Sequence, residues 1–288
     1  ILRDSLCCLN RLKSEPMEID QKKIYSISDL RYLMERLRDP EIGCPWDIKQ
    51  TYSSLKEHTL EEAYEVVDTI DRNDFEHLSE ELGDLLFQII FYSQIGAEEG
   101  HFDFDKVISG VTAKLIRRHP HVFPSGTLDS SNLKVGESSS NSINSEWEAI
   151  KEQERLEKGI SKGLDDIPMA LPALNRALKL QKRAAQTGFD WSSVDSVLSK
   201  VDEELSELKV EIDLASTQGI EDELGDLLFT CVNLSRHLKV DPETALRRTN
   251  AKFKRRFDTM ESLVDGGNLS QYSLSELERL WIKAKDLD

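Results

Sequence analysis

Two acidic patterns stand out as residues that could do chemistry. Glu61-Glu62-Ala63-Tyr64-Glu65 is followed, after fifteen residues, by Glu81-Leu82-Gly83-Asp84. Glu203-Glu204-Leu205-Ser206-Glu207 is followed at the same interval by Glu223-Leu224-Gly225-Asp226. Carboxylates with no Cys or His among them select a hard cation, Mg²⁺ or Mn²⁺, and such an ion usually shares its shell with water and phosphate oxygens. The bland alternative is a solvated helix face, and three features weigh against it. The five carboxylates 61/203, 62/204, 65/207, 81/223 and 84/226 superimpose at one offset of 142. Carboxylates fill only 54 of 288 positions, too few for five coincidences in a fixed register. They also border apolar stripes, where like charges repel without a counter-ion, and they neighbour Gly83 and Gly225, whose place inside helices predicts close helix approach. A di-iron bundle would need Glu-x-x-His on two helices; the one instance, Glu98-x-x-His101, lies outside the acidic patterns.

Helices must carry these residues. Apolar positions 201, 205, 208, 212 and 224, 227, 228, 231, 234, 238 recur at helical spacing. At 100° per residue, Glu204 and Glu207 lie about 60° apart beside the first stripe. Glu223 and Asp226 hold the same place beside the second, so packed stripes would bring four carboxylates to one seam. No run of alternating β-branched residues competes, and the fold class is all-α.

The repeat organises the rest. Glu81–Phe87 recurs unchanged as Glu223–Phe229, Lys114-x-x-Arg117-Arg118 matches Lys252-x-x-Arg255-Arg256, and Trp147-x-x-x-Lys151 matches Trp281-x-x-x-Lys285. We expect a tail or non-native extension at 1–25, a first unit at 26–158, a linker at 159–167 and a second unit at 168–288. A polar stretch, 124–145, reads as a mobile loop inside the first unit. A net charge of −17 argues against nucleic acid as a partner, and no apolar run is long enough to cross a bilayer. Four scattered cysteines form no framework and suit reduced thiols in the cytoplasm.

The basic clusters are candidate phosphate clamps: Lys252, Arg255 and Arg256 in the second copy, Lys114, Arg117 and Arg118 in the first. Trp281 with Lys285, and Trp147 with Lys151, share a helix face where a ring could stack on a base and an ammonium reach phosphate; packing into the core is the alternative for either tryptophan. No phosphate-binding glycine loop or dinucleotide fingerprint is present.

Together, the paired Glu-Glu-x-x-Glu and Glu-x-x-Asp motifs, the segment Arg38-Asp39-Pro40-Glu41-Ile42-Gly43-Cys44-Pro45-Trp46-Asp47 and the segment Arg117-Arg118-His119-Pro120-His121-Val122-Phe123 resemble the MazG family of nucleoside triphosphate pyrophosphohydrolases. The resemblance spans about residues 26–288 in two copies. It implies two tandem helical bundle units completed by dimerisation, Mg²⁺ dependence, and hydrolysis of nucleoside triphosphates at the α–β bond to NMP and pyrophosphate with broad base acceptance. It places metal ligands on Glu204, Glu207, Glu223 and Asp226, with first-copy counterparts Glu62, Glu65, Glu81 and Asp84. It places nucleotide contacts on Lys200, Glu203, Lys252, Arg256, Trp281 and Lys285, with counterparts Lys114, Arg118, Trp147 and Lys151. Glu203 or Glu204 would orient or deprotonate the attacking water. His58 stands where the second copy has Lys200, which favours the second copy for turnover. Two other functions remain open on sequence alone: a nucleotide- and metal-binding regulator with little turnover, and a helical scaffold with a structural acidic seam.

Overall fold

The computed structural model describes residues 24–130, 147, 149–154, 157, 159 and 164–288. The expected N-terminal tail up to residue 23, most of the loop at 124–145 and residues 160–163 of the linker lie outside them. Among the described residues the chain is helical with no strand. It divides between Lys151 and Glu152 into two compact units.

In the first unit the helices are α1 (Ile27–Leu37), α2 (Pro45–Lys49), α3 (Lys56–Arg72), α4 (Phe75–Glu98) and α5 (Phe104–Arg118). A capping box between Ser26 and Asp29 starts α1. α3 and α4 form a tight hairpin. Asn73 adopts the left-handed conformation (φ 57°) that ends α3, and Asp74 accepts from the His77 amide to begin α4. The core gathers Met34, Leu55, Ile90, Phe91, Ile95 and Phe104. The segment between α1 and α3 is clasped from one side by Arg38. Its guanidinium donates to the Asp47 carbonyl (2.6 Å) and pairs with Glu98 (2.6 Å) while lying over the Phe91 ring. Gly43 is required there, since a methyl group would meet the Leu37 and Asp39 carbonyl oxygens at 2.5 Å.

The second unit contains α6 (Ala173–Gln186), α7 (Val194–Asp213), α8 (Thr217–His237), α9 (Pro242–Ser262) and α10 (Leu274–Leu287), with two 3₁₀ turns before α10. α7 and α8 repeat the α3–α4 hairpin, here turning through Ala215 (φ 52°) with Ser216 capping α8. Val197, Val232, Leu178, Met260 and Ala284 are its buried apolar centre. Asp190 ties the segment before α7 to the end of α8 by pairing with Arg236 and His237.

Two expectations about packing are corrected. Gly83 and Gly225 mark no close helix approach within their units, because a methyl group at either would meet nothing within 4 Å. Nor do all the carboxylates merely flank the seam between the paired helices. Glu62 and Glu204 lie inside it, 3% and 5% exposed, while Leu205, Leu224 and Leu228 are left in solvent. Each hairpin carries more apolar surface than its own two-helix contact covers, so the surplus turns outward.

Candidate metal and nucleotide site

Each hairpin gathers its carboxylates on facing helices. In the first unit one oxygen each from Glu62 on α3 and Glu81 and Asp84 on α4 lie within 4.8 Å of one another. In the second unit Glu204 and Glu207 on α7 and Glu223 on α8 do the same. Of the eight residues expected as ligands, six are therefore brought together in two triads. Glu65 stands beside the first triad, where its charge and a hydrogen bond act on Glu81. Asp226 is exposed, with its charge felt at Glu223.

Crowding has an electrostatic consequence. Burial, then repulsion from Asp84, Glu65 and Glu81, pushes the Glu62 carboxyl up to about 7. Glu81 and Glu223 are raised for the same reasons, burial first and neighbouring carboxylates second. Anionic groups held this close, one of them deeply buried, have the composition that a hard divalent cation requires.

The copies differ at the position one turn before the buried glutamate. Lys200 donates to Glu203 (2.8 Å) and lies 2.7 Å from Glu204. Those bonds, Glu203 foremost, hold its ammonium above the usual lysine range. His58 makes only a 3.6 Å contact with Glu61, and its Nδ1 is buried without a hydrogen-bond partner. Lys200 thus neutralises part of the second cluster.

The cationic and aromatic residues of the second unit stand on another helix pair, α9 and α10. Trp281 packs against Phe253, ring centroids 5.3 Å apart, with the Arg256 guanidinium 5.9 Å from its ring. Arg255 and Arg256 both bind the Asp288 side chain at 3.0 Å. Lys252 and Lys285 are exposed. Trp281 walls an apolar hollow of about 690 Å³ shared with Phe253, Phe257, Met260, Leu269 and Leu274. The two phenylalanines were not singled out from sequence, although Phe253 and Phe257 sit one helical turn apart beside the basic cluster.

In the first unit the corresponding tryptophan is covered. The Lys151 ammonium sits 4.0 Å from the Trp147 ring centroid, His119 lies 6.3 Å away, and the indole N–H is buried without a partner. Arg118 is half-buried and Lys114 exposed.

Comparison with known proteins identifies the family. The MazG nucleotide pyrophosphohydrolase domain matches at residues 50–123 and 192–260, which hold the two hairpins. The chain is 45% identical over 268 residues to a nucleoside triphosphate pyrophosphohydrolase of Escherichia coli K12, covering 91% of this chain and 98% of that protein. It is 44% identical over 262 residues to the nucleoside triphosphate pyrophosphohydrolase/pyrophosphatase MazG of Thermotoga maritima, covering 90% and 96%. It is 41% identical to the uncharacterised protein YabN of Bacillus subtilis, covering 99% of this chain and 57% of that one. With the domain found twice and near full-length relatives, the chain belongs to the MazG nucleotide pyrophosphohydrolase family.

Proposed function

We propose that this protein is a nucleoside triphosphate pyrophosphohydrolase that uses Mg²⁺, with Mn²⁺ as a substitute, to cleave the α–β bond of nucleoside triphosphates of any base, yielding NMP and pyrophosphate. The observation that carries the reading is the carboxylate triad, built twice from facing helices around one buried glutamate. Glu204, Glu207, Glu223 and Asp226 are the ligands proposed for the second unit, and Glu62, Glu65, Glu81 and Asp84 for the first. Bound there, the cation supplies charge neutralisation and an activated water. Glu203, outside the triad and bonded by Lys200, or Glu204 orients that water or takes its proton in this reading. Lys252, Arg256 and Lys285 hold phosphate oxygens, which requires Arg256 to exchange its Asp288 partner for substrate. Trp281 and the apolar hollow receive the base by stacking, which tolerates any purine or pyrimidine.

The working form in this reading is a homodimer in the cytoplasm. Its support is the outward surplus of both hairpins. Leu60, Tyr64, Leu82 and Ile89 are exposed in the first, and Leu205, Leu224 and Leu228 in the second. Among the described residues no helix is long and apolar enough to cross a membrane. Calorimetry of a non-hydrolysable triphosphate with Mg²⁺, followed by a pyrophosphate assay with ATP, tests the whole reading. Binding with pyrophosphate release is expected. Binding without release would make the protein a regulator, and no binding would make the acidic seam structural.

A further inference from the structure

One helical turn from the first triad, on each of its two helices, stands a polar side chain with buried atoms that make no hydrogen bond. Gln88 is 1% exposed, and neither its carboxamide oxygen nor its nitrogen makes a hydrogen bond. It follows Asp84 by one helical turn on α4, and long helical side chains lean toward the preceding turn, here toward the triad. On α3, His58 precedes Glu62 by one turn, and its buried Nδ1 is likewise without a hydrogen bond. The hairpin turn makes α3 and α4 antiparallel, so both positions lie at the same end of the cluster, where the His58 ring turns toward α3's acidic residues, its Nδ1 3.6 Å from Glu61. The Thr59 hydroxyl, next to His58, lies 2.9 Å from the hydroxyl of Tyr92, one turn beyond Gln88, which fixes that level.

A buried carboxamide left unbonded is costly. A divalent cation that keeps its waters would relieve the cost, because coordinated waters are hydrogen-bond donors that need acceptors. The Gln88 oxygen accepts, and so does His58 Nδ1 when the ring proton is on Nε2. The second unit closes the same end differently. Thr230 replaces Gln88 at the matching position, and Lys200, a donor only, binds Glu203 and Glu204.

We propose that Gln88 and His58 are positioning residues for the hydration shell of a divalent cation, and that they make the first unit a resident metal site, loaded without nucleotide, while the lysine-blocked second unit loads its cation together with substrate. This rests on the carboxylate reading above and adds the order of loading.

Binding of Mn²⁺ to the nucleotide-free full-length chain, read by paramagnetic resonance of the free ion, tests it. One class of tight sites is expected, eliminated by Glu62→Gln and retained in Glu204→Gln. Gln88→Leu should weaken that class about tenfold or more, the usual range for a hydrogen-bonding partner of a metal's shell. Gln88→Glu, which keeps an acceptor, should preserve it. His58→Leu, on the opposite helix and partly exposed, should weaken it too and guards against a folding defect in the Gln88 variants. An unchanged affinity in a folded Gln88→Leu would overturn the role of Gln88 and leave the metal reading standing. Loss of the tight class in Glu204→Gln with retention in Glu62→Gln would overturn the order of loading. No Mn²⁺ binding at all by the wild-type chain would overturn the metal reading itself.

Discussion

Glu62 and Glu204 hold matching places in the two hairpins, yet among the described residues Glu204 has a lysine ammonium beside it, 2.7 Å away, where Glu62 has none. The sequence identified both residues from type and spacing. It did not reveal that they are the buried members, because burial follows from how two helices meet. Glu62, pushed up from 4.5 to about 7 by burial and its neighbours, gives a pH-dependent prediction. For an acid with a raised folded value, the native state is penalised once the group ionises. The penalty is full above about pH 7 and fades as pH falls toward 4.5. Without divalent cations, Glu62→Gln should therefore melt at a higher temperature than wild type at pH 8, and the gap should close toward pH 4.5. A gap that widens on acidification would contradict the assignment. In the second unit, Glu204→Gln should lower turnover at least about a hundredfold while circular dichroism shows unchanged helix content, since one anionic ligand is removed from a preorganised site. Full turnover at saturating Mg²⁺ would sink that site assignment.

At the scale of elements, the hairpins were legible and their outward faces were not. Periodicity located α7 and α8 around the motifs, but a stripe in sequence does not say which of its residues the partner helix covers. Leu205, Leu224 and Leu228 belong to the stripe and are exposed. The bare glycines beside the triads have no steric reason inside their own units. The α7–α8 turn offers a local test. Ala215 holds φ 52°, a conformation costing a residue with a side chain about 1 kcal/mol. Ala215→Gly should raise stability by roughly half that or more in urea unfolding, the remainder being lost to unfolded-chain entropy. The two hairpins also differ as machines. Lys200 favours the second, while Lys151 occupies a face of Trp147 in the first. Glu207→Gln should therefore abolish most turnover, and Glu65→Gln should spare most of it, when the two are assayed side by side. The reverse order would move the working site to the first unit.

For the whole molecule, the in-register repeat was the most informative reading, since five carboxylates at one offset disclosed two equivalent units before any helix was drawn. Other parts of the chemistry stayed hidden for a physical reason. Gln88 looks like any polar residue inside an apolar run until its environment shows no partner, and Arg38 looks like a surface cation until it is seen clasping the Asp47 carbonyl. A dimer should appear in light scattering at twice the 32.9 kDa mass of the chain and persist to low micromolar concentration. The exposed apolar faces of both hairpins are the surface it would bury. Everything proposed for the triads converges on which phosphoanhydride is cut. The most direct measurement is chromatography of an ATP digest at early times with Mg²⁺ present. AMP and pyrophosphate should form together in equal amounts with no ADP intermediate; ADP and inorganic phosphate as the first products would contradict the account.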